Sequence, residues 1–219
     1  MLDKSLKFLK SLARNNNRDW FEKNKAKFLE AKAEFESFVT DLLEEMESFD
    51  ASLNGLEAKK LIFRIYRDVR FSKDKRPYKT NFGAAFSASG KGLGRPGYYL
   101  HIEPGNKSFI AGGLYMPEPQ VLTKVRQEID YNGDKLKAIM QEKKFKKLFG
   151  DFWDEDKLKR PPKGYDEEHT YIEWLKLKSF IVTTEIKDPE LNKKNVKKSL
   201  ATSFKTLKPL NDFLNQAID

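Results

Sequence analysis

The sequence holds 219 residues with no cysteine, 39% hydrophobic and 34% charged residues, and a net charge of +9 from 42 Lys/Arg against 33 Asp/Glu. A 13% aromatic share, 17 of those residues Phe, excludes a disordered chain, and the missing cysteines exclude disulfides, thiolate catalysis and Cys-based zinc sites. No run approaches the ~18 apolar residues that would span a bilayer, and lysines interrupt the leucines of the first 17 residues, unlike a signal peptide. The expectation is a cytoplasmic protein with no membrane partner.

Leu2, Leu6, Leu9 and Ala13 recur at helical spacing and predict a short amphipathic helix over 3–13. Asn15-Asn16-Asn17 ends it, because asparagine favours turns over helical backbone bonding. Asn17 and Arg18 then form a turn and N-cap ahead of Trp20, an aromatic anchor; a reach of Asn17 or Arg18 into a nearby site is the alternative. A long helix follows over about 19–47, with Phe28, Ala31, Phe35, Val39, Leu42 and Met46 on one face.

From Leu61 the period shortens to two. Phe63, Ile65, Val69 and Phe71 alternate with Arg64, Tyr66, Asp68 and Arg70, which predicts a strand in preference to a helix. Phe82, Ala84 and Phe86 alternate again, and a Gly-rich loop follows at 87–97. It lacks the spacing of a phosphate-binding loop. Residues 98–103 and 108–115 flank Pro104-Gly105-Asn106-Lys107, a hairpin signal, and Ser179–Ile186 is a further strand rich in β-branched residues.

Pro117 or Pro119 opens a helix to about Ile129. Asp134 caps a second helix that Gly150 stops, and Asp166 caps a third with His169 in its first turn. Helical segments over about 189–217 close the chain, with Pro209 expected to break or kink the last one. Helices at 3–47, a sheet region at 60–115, helices at 117–177, a strand at 179–186 and terminal helices together predict α+β. Without repeats or long linkers, one domain over 1–219 is expected.

The charge is uneven. Residues 59–81 carry nine basic groups against Asp68 and Asp74, four of them arginines whose planar fork suits carboxylate or phosphate. On a strand, Arg64, Tyr66, Asp68 and Arg70 project to one face and Arg67 to the core side. A buried guanidinium there needs a carboxylate, for which Asp19 or Glu22 of the first helices would serve. Alternatively, Arg64, Arg67, Arg70, Lys75 and Lys79 line an electropositive cleft, with the Tyr78 hydroxyl donating to a bound oxyanion. Asp68 and Asp74 then orient the arginines, since so many cations argue against a metal ion.

The run Arg64-x-x-Arg67-Asp68-x-Arg70-Phe71, followed by Asp74-Lys75-x-x-Tyr78, resembles the signature of a bacterial and fungal family, domain of unknown function 2461. The segments Asn16–Phe21, Gly112-Gly113 with Tyr115 and Pro117, and Pro162–Asp166 with His169 are similar to other features of that family. The resemblance spans about residues 5–185, and it implies site candidates without a reaction.

Three functions compete. One is a site for a small anionic ligand, with Asp68, Tyr78 and His169 as the candidate acids or bases if a reaction follows. The second is salt-dependent nucleic-acid binding, from the lysines of 187–208 and exposed aromatics such as Tyr66, Tyr98 and Tyr99. The third is a non-catalytic interaction protein whose arginines are paired internally. No cofactor and no metal are implied, and oligomeric state is left open, as is catalysis.

Overall fold

Four strands hydrogen-bond in chain order as an antiparallel meander: β1 (Phe82–Phe86), β2 (Gly97–Ile102), β3 (Ser108–Leu114) and β4 (Phe180–Ile186). A computed structural model describes residues 1–91 and 94–219, so Gly92 and Leu93 of the Gly-rich loop lie outside the described residues. The β2–β3 hairpin turns through Gly105 and Asn106, both at positive φ, as its composition predicts.

Nine α-helices are described around the sheet. At the N-terminal end are α1 (Asp3–Arg14), α2 (Arg18–Lys23), α3 (Lys25–Glu47) and the short α4 (Ala58–Leu61). Next come α5 (Pro119–Gln141), α6 (Lys143–Phe149) and α7 (Ile172–Leu175), then α8 (Asp188–Leu191) and α9 (Val196–Ile218). The fold is α+β. Tyr98, Leu100 and Ile102 of β2 are buried on the face that packs against α3 and α9, with α5 lying against α9, while Tyr99 and His101 stand half-covered on the opposite face. Apolar residues from Leu2 to Leu214 form one contiguous cluster. Among the described residues, no helix is long and apolar enough to cross a membrane.

Several local expectations change. The helix predicted over 19–47 is two helices, divided at Asn24; the two helices expected on either side of Asp134 meet at a non-helical Asn132 inside α5, and the second is divided again at Glu142 before α6 ends at Gly150. Asp166 caps no helix, and His169 lies in a turn before α7. Helix α9 runs through Pro209. Its buried stripe of Phe204, Leu207, Leu210 and Leu214 holds the helix together while Pro209 sits on the exposed side, where water can bond the carbonyl freed by the missing N–H.

The strand predicted over 61–71 is replaced by an irregular ribbon. Residues 62–67 run beside 77–84 through the Phe63 N–H to Gly83 O bond (2.9 Å), Lys79 N–H to Ile65 O (2.7 Å) and Arg67 N–H to Pro77 O (2.9 Å). Isolated bridges join Ile62 to Ala84 and Tyr66 to Tyr78. Beyond Arg67 the alternation no longer reports burial: Phe71, expected on the core side, is 96% exposed.

Candidate functional site

The tip of the ribbon, residues 68–76, is built from two Asp-x-Arg turns. Asp68 accepts the Arg70 N–H (3.2 Å) and clasps the Arg70 guanidinium at 3.0 and 2.7 Å. Asp74 repeats this with Arg76, at 3.0 Å to the N–H and 2.7 Å to Nη2. Aspartate followed two residues on by an N–H donor is the Asx-turn. Asp74 also takes Arg67 Nη1 at 2.5 Å, so Arg67 pairs within the tip and not with Asp19 or Glu22. The Arg76 and Arg67 guanidiniums hold the Asp74 carboxyl well below the usual carboxylate range, and Arg70 lowers Asp68. Lys75 Nζ donates to Val69 O (3.0 Å). Arg70 and Lys75 are thus exposed and locally engaged.

On the helix side of the ribbon lies a cleft of about 360 Å³ lined by Arg18, Glu22, Tyr66, Arg67, Val69, Pro77 and Tyr78. Helix α2 brings Arg18 there because Asn17 caps it, its side chain accepting the Trp20 N–H at 2.9 Å; the Trp20 ring in turn rests 6.0 Å from Phe8. Tyr78 is a buried member of the cleft lining. It is 3% exposed, stacked on Phe21 at 4.0 Å, and its backbone is clamped by the Asn16 side chain through both N–H (3.1 Å) and C=O (2.9 Å). Burial raises its phenol pKa, so the hydroxyl stays protonated as a donor.

The opposite side of the ribbon gathers cations. Lys79 Nζ sits 5.4 Å from the centre of the Phe63 ring and Lys91 Nζ 5.9 Å from it, while Phe63 itself packs edge-on to Tyr99 of the outer sheet face. Lys91 donates to Ile62 O (3.2 Å). Lys79 is half-buried, and its pKa is lowered first by burial, then by repulsion from Arg64 and Lys91, with no carboxylate opposing them. Asp68 feels Arg64 but is already clasped by Arg70. Among the described residues neither Arg64 nor Lys79 has a salt-bridge partner.

The six predicted ligand-binding residues therefore fall into three places. Arg67 and Tyr78 share the cleft, Arg64 and Lys79 share the cationic face, and Arg70 and Lys75 stand at the tip. The sequence reading missed Lys91, which lies 12 residues beyond Lys79 in the Gly-rich loop with no local signal of its role.

The chain matches the family model described as "Conserved hypothetical protein (DUF2461)" over residues 4–213. It belongs to that family. No curated protein and no solved structure matches it. The family's description names no reaction, so the chemistry of the chain rests on its own geometry. The matched region takes in the ribbon, the cleft and the cationic face.

Both histidines are engaged. The His169 Nδ1 accepts the Tyr171 N–H (3.0 Å), leaving Nε2–H to donate to Asp130 (3.0 Å). With both nitrogens committed, His169 braces the segment before α7 against α5 and has no lone pair free for a substrate proton. His101 lies between Tyr99 and Asn81 at Nδ1 (3.2 and 3.4 Å) and Glu103 at Nε2 (3.0 Å), stacked on Phe109. Burial pushes the Tyr99 phenol up to about 12, so this network holds a neutral tyrosine. Among the described residues no three His, Asp or Glu side chains gather as a metal site.

Proposed function

We propose that the chain binds a small anionic ligand, bearing phosphate or carboxylate, on the face formed by Arg64, Lys79 and Lys91 around Phe63. The observation that carries this reading is the half-buried Lys79 ammonium, flanked by two more cations and lacking a counter-ion among the described residues. A charge withdrawn from water is stable only when paired. An anion bridging the three would supply the missing partner, with lysine as a point charge and arginine as a fork.

For Arg67, Arg70 and Arg76 a structural role is the better account. Two carboxylates hold all three, and together they close the ribbon tip. The arginine run thus serves partly as scaffold, as the interaction-protein reading expects, while Arg64 and Lys79 are left for ligand.

The test is thermal unfolding and titration calorimetry with inorganic phosphate, succinate and a short oligonucleotide, each at low and high salt. The parent and Arg70→Ala should both melt higher with phosphate or succinate, since a ligand of the native state stabilises it by mass action. Lys79→Met should lose that response at least tenfold in affinity while melting no lower than the parent. An unchanged response in Lys79→Met, or none in the parent, overturns the reading. A response to the oligonucleotide alone, erased by salt, would assign the face to nucleic acid.

The depressed Lys79 pKa carries its own pH signature. The folded value lies below the unfolded 10.5, so between the two the unfolded chain binds more protons and stability rises with pH. Below both values the charge costs stability. The urea midpoint of Lys79→Met should therefore exceed the parent's near pH 7, and the gap should narrow as pH approaches 10. A gap independent of pH would show that Lys79 is not destabilised by its surroundings.

A further inference from the structure

A second cavity, of about 190 Å³, opens between the turn after α3, strand β2 and the last turns of α9. Its lining includes the buried Asp50, Tyr98 and Asn211, together with Asn215 and the Arg95–Asp219 pair (2.6 Å), both partly exposed. The chemistry inside is one-sided. Asp50 is 8% exposed and no cation pairs with it among the described residues. Its Oδ2 accepts the Tyr98 hydroxyl (2.6 Å) and its Oδ1 both the hydroxyl (2.6 Å) and the N–H (3.2 Å) of Ser52. Burial, then Asp50, raises the Tyr98 phenol pKa strongly, so it remains a donor to that carboxylate.

Asn211 is 2% exposed. Its Nδ2 donates to Gly97 O (3.2 Å), which fixes the amide's orientation, and its Oδ1 is buried with no hydrogen-bond partner. An orphaned buried acceptor costs about 1–3 kcal/mol in other proteins, so such a group points to a missing donor. Two residues of the lining thus have acceptor capacity to spare, Asn211 through its unpartnered Oδ1 and Asp50 through one remaining lone pair on Oδ2, while the buried hydroxyls are already committed. Its volume equals several waters at ~30 Å³ each.

We infer that this cavity is a binding site for a primary ammonium group, carried by a small amine of a few heavy atoms. An ammonium brings three donors and no acceptor. Asn211 Oδ1 and Asp50 take two of them, and the positive charge pairs the buried Asp50 carboxylate. The site is independent of the anion-binding face and shares no residue with it.

The probes are methylammonium and ethanolamine, with ethylene glycol as the neutral analogue and sodium chloride as the ionic control. Calorimetry and melting curves should show saturable binding of the amines to the full chain, with a rise of roughly 5 °C well above Kd, and none for ethylene glycol. Asn211→Leu, close in size, should weaken amine binding at least tenfold. Asp50→Asn is close in size, keeps one of the two acceptor oxygens and removes the charge, and should abolish the charge-dependent part; it also carries the test if Asn211→Leu does not fold. Phosphate binding should be unchanged in both variants, so failure here is separable from failure of the anion reading. Equal amine response in parent and variants, equal response to ethylene glycol, or no saturable response would overturn the inference and leave a cavity filled by water.

Discussion

Gly113→Ala should cost roughly 4 kcal/mol or more, the largest loss expected of any single methyl group added to this chain. Gly113 has φ +114, a backbone state that side chains rarely adopt, and it pairs with Gly97 on one side and Ile181 on the other. A Cβ built there meets the Phe180 carbonyl oxygen at 1.9 Å. That oxygen belongs to a neighbouring strand, so relief requires β3 and β4 to part. Neighbouring Gly112 makes the useful contrast. Its added Cβ would strike Leu207 Cδ2 at 2.4 Å, the end of a side chain on α9, so relief needs that buried leucine to repack but no strands to part. Urea unfolding of the two variants should rank Gly113→Ala far below Gly112→Ala. If the order is reversed, the strand's backbone is not held as described. Against a total stability of about 5–15 kcal/mol for ordinary domains, Gly113→Ala should leave a substantial unfolded fraction at 25 °C.

The sheet around Gly113 was legible in the sequence, and the ribbon was not. The β2–β3 hairpin announces itself through a local turn, Gly105-Asn106, and β4 through its β-branched run; both signals lie within the elements they predict. The segment 61–71 shows the same alternation, but its conformation is decided by the two aspartates at the ribbon tip. Asp68-Val-Arg70 and Asp74-Lys-Arg76 each close on themselves through aspartate, and this local bonding competes with strand pairing. The repeat of Asp-x-Arg was visible and was the signal to weigh. The site was less legible still. Arg64 and Lys79 draw attention by charge alone, but Lys91 joins them only through the path of the Gly-rich loop. Asn211 did leave a trace: it occupies a position on the apolar stripe Leu200, Phe204, Leu207, Leu214, where a polar residue needs a reason.

Phe21→Ala should cost about 3–5 kcal/mol, because Phe21 is fully buried and removal of its ring leaves a cavity that its neighbours fill poorly. The neighbours are aromatic on every side: Phe28 at 5.0 Å, Tyr66 at 6.0 Å, Phe8 at 6.2 Å and Tyr78 at 4.0 Å between centroids. The Tyr78 contact is the stacked one, with rings inclined by 13°, and it joins α2 to the ribbon. A double-mutant cycle with Tyr78→Ala should return a coupling of about 0.5–1.5 kcal/mol beyond the area lost. A coupling near zero would mean that Tyr78 is placed by the Asn16 clamp alone. The two faces of the ribbon then separate packing from binding. Lys79 comes directly after Tyr78 in sequence but projects to the other side, beside Phe63, and its N–H is held by Ile65 O. If ribbon hydrogen bonds set the position of Lys79, phosphate affinity in Phe21→Ala should fall less than threefold even as stability drops. A loss as large as that in Lys79→Met would mean that the aromatic stack under Tyr78 holds the cationic face in place, and that the cleft and the anion site form one cooperative unit.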